Sequence, residues 1–221
     1  MATLGLILLF SYVLGAIPFA LVAGRMCGVN LREHGSGNIG ATNVYRVIGP
    51  QVGLAVFALD FLKGIAAVWL ARMIWIGDPM ALNLPAVMVL AGAAATLGHI
   101  FTVFASFKGG KGVATGAGIL VALVPGAVAA AAVIFFLVIA FTRYVSLASM
   151  TAAMAIPLSL VVGRHVLGEH IAQIVFWFCA VIPLLIVYTH RSNLQRLLRG
   201  TEVRIGRDDP EVAARKQRRL P

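Results

Sequence analysis

Two glycine-rich segments hold the residues of this sequence that are best suited to bind an anion. The first, "HGSGNIGATNVYR" (residues 34–46), has three glycines among hydroxyl and amide side chains and ends in Arg46. The second, "FKGGKG" (residues 107–112), has two lysines around a pair of glycines. Glycine lets successive backbone N–H groups converge on an anion, and arginine holds a phosphate through two N–H donors. Both segments therefore predict phosphate binding.

An ordinary turn explains these segments less well than anion binding does. A simple connection between two helices needs fewer residues than the first segment has, and lysines that only anchor a loop at a membrane surface do not require glycines. The second segment is not a Walker A loop, because Gly112 follows Lys111 where that motif requires Ser or Thr. Gly112 instead leads into an apolar stretch, where the N-terminus of a helix would itself attract an anion.

Three ionisable residues within apolar stretches have two interpretations each. Asp60 and Lys63 are three residues apart and so share one face of a helix. They form either an internal salt bridge or, through Lys63, a support beneath the anion site, since charges in such a position are costly unless paired or turned toward a polar cavity. His99 is either a structural hydrogen-bonding residue or a general base.

Two further polar groups occur where apolar stretches begin or end. "RYVSLAS" (residues 143–149) opens one stretch, and its serine hydroxyls could cap a helix or bind an anion. "HRSNLQR" (residues 190–196) ends the last stretch. Basic residues are routine at such a helix end, but the added histidine and asparagine make ligand contact an equal alternative. The two groups contribute Arg143, Ser146, Ser149, His190, Asn193 and Arg196 as candidates.

The composition identifies the class of protein. The 221 residues are 60% hydrophobic and 12% charged, with a mean hydropathy of +0.94, whereas soluble domains are nearer half apolar and carry about twice the charge. The stretch before Pro125 is too short to cross a bilayer, which requires roughly 20 apolar residues. Because these stretches lack strand alternation, the sequence predicts an all-α, polytopic membrane bundle of seven helices, one of them short. The six predicted spans are 3–24, 51–76, 82–105, 126–142, 147–163 and 170–189.

The distribution of basic residues predicts the orientation. Arg25 and Arg32 follow the first apolar stretch rather than precede it, so the N-terminus is expected outside and the C-terminus in the cytoplasm. All four polar segments then share the cytoplasmic face, which predicts a single site there. Residues 1–206 are expected to form one membrane-embedded domain, and 207–221 a disordered basic tail that lies against anionic lipid. The tail lacks aromatic residues and recognition motifs, so nucleic acid is not expected as a partner.

At these motifs the sequence resembles a known family, the bacterial acyl-phosphate:glycerol-3-phosphate acyltransferases (the PlsY family). The resemblance extends from about Ser11 to Glu202 and rests on "SYVLGAIPFA", "GSGNIGATNVYRVIG", "DFLKG", "GHIFTVFASFKGGKGVAT", "RYVSLAS" and "HRSNLQRLLRGTE", in that order. It implies seven helices in the bacterial inner membrane and a site formed by cytoplasmic glycine-rich loops. It also implies transfer of a fatty acyl group from acyl phosphate to the 1-hydroxyl of glycerol 3-phosphate. The products would be lysophosphatidic acid and inorganic phosphate, in the first step of phospholipid synthesis.

The candidate residues fit this reaction, because two phosphorylated substrates must be held together at the membrane. The resemblance implies substrate contacts for Ser36, Asn38, Thr42, Arg46, Lys108, Ser146, His190 and Asn193. Adding the candidates from the residue types, the predicted substrate-binding set is Ser36, Gly37, Asn38, Thr42, Asn43, Arg46, Lys63, Lys108, Gly109, Gly110, Lys111, Gly112, Arg143, Ser146, Ser149, His190, Asn193 and Arg196. The candidate catalytic residues are His99, His190 and Lys108. The phosphate of the donor is a further candidate acceptor for the hydroxyl proton, and the sequence leaves this choice open.

An organic-anion or phosphate transporter is the strongest alternative, with Asp60 and Lys63 lining its path. Transporters place their sites near the membrane midplane between structural repeats. The similarity between "GNIGAT" and "GKGVAT" is too short to indicate such a repeat. Acyltransferases with thioester donors use His-x-x-x-x-Asp, but Phe104 occupies the last position of that pattern after His99. The two cysteines form no motif, so neither a disulfide nor a metal site is expected. No cofactor is expected, and no obligate protein partner is evident.

Overall fold

The structure, a computed structural model, describes residues 2–76 and 82–206. The predicted basic tail, 207–221, lies outside the described residues. The described part of the chain forms ten α-helices and one 3₁₀ helix, which confirms the all-α prediction. In chain order they are α1 (Ala2–Ala16), α2 (Phe19–Met26), α3 (Ala41–Val47), α4 (Pro50–Ile74), α5 (Leu84–Ile100), the 3₁₀ helix (Val103–Ala105), α6 (Val113–Leu123), α7 (Pro125–Thr142), α8 (Val145–His165), α9 (Gln173–Thr189) and α10 (Arg191–Leu198).

Six helical segments correspond to the predicted spans. The described residues contain five segments that are long and apolar enough to cross a membrane, and α9 with α10 forms a sixth that is bent by 62°. The short predicted helix is α6, which has 11 residues. The orientation in the membrane and the exact number of crossings stay predictions. The five segments are Ala2–Met26, Pro50–Ile74, Leu84–Ala105, Pro125–Thr142 and Val145–His165.

The first span, predicted as one continuous helix, is broken at Pro18, between α1 and α2. Proline lacks an N–H and disfavours helical geometry in the residue before it. The two carbonyl groups released by the break have side-chain partners: Thr102 Oγ1 donates to the carbonyl of Ala16 at 2.5 Å, and Lys63 Nζ donates to that of Ile17 at 2.9 Å. A break is tolerated in a lipid environment because these donors replace the missing helical bonds.

Glycines let α4 and α6 pack backbone to backbone. A Cβ atom at Gly64 would run into the carbonyl of Thr115, and one at Gly118 would run into the carbonyl of Phe61. Small residues at such positions are the usual means of close helix packing in membranes. This contact holds the short helix α6 against a long span, so the N-terminus of α6 has a defined place beside the polar loops.

Candidate active site

A cavity of about 370 Å³ lies where the polar loops meet the ends of the long helices. Its polar lining comes from all four polar segments of the sequence, from His99 at the end of α5, and from two carboxylates, Asp60 of α4 and Glu202 after α10. The structure therefore brings most of the predicted site residues together. Those that line the cavity are Ser36, Asn38, Thr42, Asn43, Arg46, His99, Lys111, Gly112, Ser146, Ser149, His190 and Asn193.

The same cavity has an apolar wall. Leu54 and Phe57 from α4 and Phe135, Phe136 and Ile139 from α7 contribute it. Phe57 is 44% exposed and Phe136 is 66% exposed, so both rings reach the outer surface of the bundle. In a membrane-spanning protein that surface faces lipid. The cavity thus joins charged and hydrogen-bonding groups to a wall that is suited to an acyl chain.

The first glycine-rich segment is organised around Asn43, which is 1% exposed. Its Oδ1 accepts a hydrogen bond from the backbone N–H of Ser36 at 2.9 Å, and its Nδ2 donates to the carbonyls of Leu31 and His34 at 3.1 Å each. These bonds fold the loop back onto α3 and set Ser36 at the cavity. Asn43 has a structural role in this arrangement, and its contact with substrate stays a prediction.

A hydrogen-bond network centred on Glu202 joins three of the polar segments. Lys111 Nζ donates to Oδ1 of Asn193, and Nδ2 of Asn193 donates to Oε1 of Glu202 at 2.6 Å. The same oxygen accepts from Ser146 Oγ at 2.8 Å, while Oε2 accepts from Arg196 Nε at 2.7 Å. The buried carboxylate therefore positions donors from α8 and α10 and, through Asn193, the lysine that precedes α6.

The two charged groups in this network have shifted pKa values. Burial lowers the pKa of Lys111 to about 8; the charges of Arg196 and Arg46 act in the same direction, and that of Glu202 opposes them. Burial by itself raises the pKa of Glu202, but hydrogen bonds from its three donors outweigh burial and hold the pKa below its usual value. Glu202 is therefore a weak proton acceptor. A partly buried ammonium group such as Lys111 is further stabilised by an added anion.

The chain after α10 closes one side of the cavity. Arg46 Nη2 donates to the carbonyl of Val203 at 3.0 Å. Arg143 Nε donates to the carbonyl of Ile205 at 3.1 Å, and the N–H of Ile205 donates to the carbonyl of Arg143 at 2.8 Å. Residues 201–206 are thus fastened to α3 and to the start of α8 by two of the arginines predicted to bind substrate.

The two candidate histidines have different surroundings. His190 is 3% exposed, and its Nδ1 lies 2.8 Å from the carbonyl oxygen of Ile186. A carbonyl only accepts, so Nδ1 carries the hydrogen and Nε2 is the accepting nitrogen of the neutral ring. The Nδ1 of His99 instead lies 3.2 Å from Thr115 Oγ1 and 3.6 Å from Asp60 Oδ1, inside the bundle.

Gly109 and Gly110 pack against the end of α5. The N–H of Gly109 donates to the carbonyl of Ile100 at 2.8 Å, and that of Gly110 donates to the carbonyl of His99 at 3.1 Å. A Cβ atom at Gly110 would overlap the ring of His99, and one at Gly109 would overlap its carbonyl. These glycines are needed for close approach, and their amides bond to protein rather than facing the cavity.

Several predicted residues lie outside the cavity lining: Gly37, Lys63, Lys108, Gly109, Gly110, Arg143 and Arg196. Lys63 Nζ lies 2.7 Å from Asp60 Oδ1 and donates to the backbone at the break in the first span, so the internal salt bridge is observed. Lys108 lines a separate cavity. No structural observation tests whether these residues contact substrate, so their predicted roles stay predictions.

Sequence reasoning overlooked Glu202 and the aromatic wall. One feature of the sequence could have singled out Glu202: it is the only acidic residue between His170 and Arg207, and it follows a segment rich in arginine. A lone carboxylate among cations favours a structural ion pair. Phe57, Phe135 and Phe136 lie in apolar stretches where nothing distinguishes a cavity-lining ring from a lipid-facing one.

This fold and this cavity define a class of protein: a helical membrane protein that can hold an anionic headgroup and an apolar chain in one site. Comparison with known sequences identifies the family. The family described as "Glycerol-3-phosphate acyltransferase" matches residues 5–200. A glycerol-3-phosphate acyltransferase of Chlorobium phaeobacteroides is 42% identical over 93% of this chain and 97% of that protein. The corresponding protein of Desulforudis audaxviator is 44% identical over 92% of this chain and 98% of its own length.

Two crystal structures of PlsY, an integral membrane glycerol 3-phosphate acyltransferase, are similar to this fold. The glycerol 3-phosphate form has a TM-score of 0.81 and 40% identity, covering 92% of this chain and 96% of that chain. The lysophosphatidic acid form has a TM-score of 0.79 and 38% identity, covering 96% and 98%. The chain belongs to the glycerol-3-phosphate acyltransferase family, which confirms the resemblance seen in the sequence. The comparisons give the transporter alternative no support.

Proposed function

We propose that this chain transfers a fatty acyl group from acyl phosphate to the 1-hydroxyl of glycerol 3-phosphate. The family match supports the acceptor, and the two similar structures are described as a glycerol 3-phosphate form and a lysophosphatidic acid form, an acceptor and a product of this reaction. The observation that carries the proposal is the mixed lining of the cavity, in which cations, hydroxyls and amides adjoin an apolar wall. Its volume of about 370 Å³ lies in the range of small-molecule sites.

The phosphate groups are proposed to bind around Lys111 and the start of α6. Gly112, with φ of +82°, precedes α6, and Val113 and Ala114 of the first helical turn line the cavity. N–H groups at a helix N-terminus favour anions, and Arg46 adds a planar charge from α3. Hydroxyl and amide donors complete the proposed set: Ser36, Asn38, Thr42, Ser146, Ser149 and Asn193.

The proposed reaction is a direct acyl transfer. The 1-hydroxyl oxygen of glycerol 3-phosphate attacks the carbonyl carbon of the mixed anhydride, an ester C–O bond forms, and the bond to the phosphate oxygen breaks. The hydroxyl proton leaves with the departing phosphate or passes first to Nε2 of His190. Because phosphate is a good leaving group, the protein mainly holds the substrates in reacting geometry and stabilises developing charge. No step requires a metal, another cofactor or a second protein.

The apolar wall is proposed to hold the acyl chain while its carboxyl end reaches the polar groups. Phe57 and Phe136 are partly exposed on the surface of the bundle, so a chain along them stays in contact with lipid. The positive-inside distribution of basic residues supports the proposal that this site lies at the cytoplasmic face of the bacterial inner membrane. Both soluble glycerol 3-phosphate and a membrane-held donor then reach it without crossing the bilayer.

One assay tests the donor and the acceptor together. Purified protein in detergent should release inorganic phosphate from palmitoyl phosphate only when glycerol 3-phosphate is present. Absence of release, or equal product from a palmitoyl thioester, would refute the donor assignment.

A matched pair of variants tests the site in the same assay. Arg46→Ala should lower kcat/KM on the order of 10²-fold, as expected for removal of a charge aimed at the reacting groups. Arg199→Ala, which removes an exposed arginine outside the cavity, should retain normal activity. Equal activity in the two variants would contradict the proposed anion site.

A further inference from the structure

A second cavity opens beside the glycine-rich loop, separate from the candidate active site. Its volume is about 660 Å³, and its lining includes three cations: Arg25 at the end of α2, Arg32 and Lys108. None of the described residues that line it is acidic. At its edge the carboxylate of Glu33 accepts a hydrogen bond from the lining residue Asn30. The three cations are exposed, so the cavity is an open, positively charged site with no bound partner assigned by the proposed reaction.

The arginine in the middle of this lining is held in place. Nη2 of Arg32 donates to the carbonyls of Ala105 and Lys108, at 3.1 Å each. These bonds use two of the five N–H donors of the guanidinium group. They also remove much of the side-chain freedom that an anion would otherwise have to restrict on binding. The charge of Arg32 is therefore preorganised against the loop that leads to Lys111.

The segment between these two carbonyls has a strained backbone. Ser106 and Phe107 have φ values of 53° and 58°, in the left-handed region that non-glycine residues rarely adopt. Strain of this kind is retained where the surrounding structure imposes it, often at binding sites. Here the segment contributes Ser106 to the cavity wall and turns Phe107 outward, where it is 59% exposed. Phe104, which also lines the cavity, is 55% exposed.

We propose that this second cavity binds the phosphate headgroup of an anionic phospholipid from the surrounding bilayer. Three cations without a lining carboxylate select a negative headgroup, and the exposed phenylalanine rings at the rim fit the apolar chains attached to it. A soluble phosphate compound would use the cations but not the rings. Arg25 and Arg32 are outside the predicted substrate-binding and catalytic set, so this binding site is tested separately from the proposed function.

The position of this cavity gives the lipid a structural consequence. Arg32 bonds to the carbonyl of Lys108, and three residues later Lys111 lines the candidate active site. A headgroup on Arg25 and Arg32 is therefore expected to stabilise the loop between the two cavities.

Native mass spectrometry of the purified full chain in neutral detergent tests the proposal. Phosphatidylglycerol is added to the delipidated protein, with phosphatidylcholine as the zwitterionic comparison. The wild-type protein should retain phosphatidylglycerol in preference to phosphatidylcholine. Arg25→Gln should weaken that retention about fivefold, the effect of one cation near a lipid surface. The matched control is Arg199→Gln, which removes the same charge from an exposed position outside the cavity and should leave retention unchanged.

Three outcomes would overturn the proposal: equal retention of the two lipids, equal weakening in the Arg25 and Arg199 variants, or displacement of phosphatidylglycerol by millimolar inorganic phosphate. The last outcome would assign the cavity to a soluble phosphate compound. Arg25 lies outside the candidate active site, so substrate-dependent phosphate release by the Arg25→Gln variant verifies that the protein is folded.

Discussion

Asn193 and Glu202 are joined by a 2.6 Å hydrogen bond from Nδ2 to Oε1, and this bond determines which way the asparagine amide faces. Because the carboxylate only accepts, the NH₂ group must point toward it. Oδ1 is then left to accept from Lys111. One buried acid thus sets the orientation of an amide and, through it, the position of a cation in the candidate active site.

This relationship predicts a compensating pair of substitutions. Asn193→Asp places a second carboxylate against Glu202 in a buried position, so we expect a lower unfolding temperature and little activity. Adding Glu202→Gln restores one donor and one acceptor between the two positions, and the double variant should unfold at a higher temperature than Asn193→Asp alone. Thermal unfolding in detergent measures both. A double variant no more stable than Asn193→Asp would contradict the assigned hydrogen bond.

Glu202 also predicts how stability depends on pH. Its pKa in the folded protein is below the usual value of 4.5. The carboxylate therefore contributes stability that is fully present above pH 4.5 and is lost as the pH falls through the folded pKa. The unfolding temperature should decrease on acidification, and Glu202→Gln should show a flatter profile between neutral pH and this acidic range. Parallel acid profiles for the two proteins would show that other groups control the transition.

Lys111 predicts a change in substrate affinity at alkaline pH. Burial lowers its pKa to about 8, so the ammonium loses its proton as the pH rises past that value. We expect the KM for glycerol 3-phosphate to increase between pH 7 and pH 9 as the phosphate loses a cationic partner. Lys111→Arg keeps its charge over this interval and should have a flatter KM profile. The same alkaline increase in both proteins would assign the effect to another group.

The apolar wall predicts chain-length selectivity. Ile139 lines the cavity from α7, and a larger side chain there shortens the space for an acyl chain. Ile139→Trp should lower kcat/KM for palmitoyl phosphate several-fold more than for decanoyl phosphate, since overpacking of an apolar pocket is worth about 1–3 kcal/mol. Leu137→Trp, on the same helix but outside the cavity lining and 52% exposed, is the matched control. Equal losses with both donors would argue against chain binding along α7.

The buried pair Asp60 and Lys63 predicts non-additive effects on stability. Their charged atoms are 2.7 Å apart within a span, so removal of either partner leaves an uncompensated charge. Lys63→Met alone should destabilise the protein by about 3–5 kcal/mol. Asp60→Asn combined with Lys63→Met should cost less than the sum of the single changes, as measured by denaturant unfolding in detergent micelles. Additive losses would show that the two charges do not stabilise each other.

The polar motifs, together with the orientation predicted from the basic residues, were sufficient to predict which segments meet. Glycines beside Arg46 and Lys111 predicted anion binding, and both residues line the cavity. The structure adds structural roles for some of these residues that their types did not indicate. Asn43 is a ligand candidate by type, yet its amide folds the loop. Gly109 and Gly110 suit an anion nest, and in the structure their amides bond to the end of α5, so closely that a Cβ atom would overlap His99.

Composition and the lengths of apolar stretches by themselves determined that this chain is a helical membrane protein, because these are local properties that do not depend on the path of the chain. Only the tertiary structure decided that Lys108 and Lys111, three residues apart, line different cavities. Only the tertiary structure paired Glu202 with Ser146 of α8 and Asn193 of α10. Burial and pairing depend on which distant segments approach a residue, and spacing along one segment carries no information about that approach.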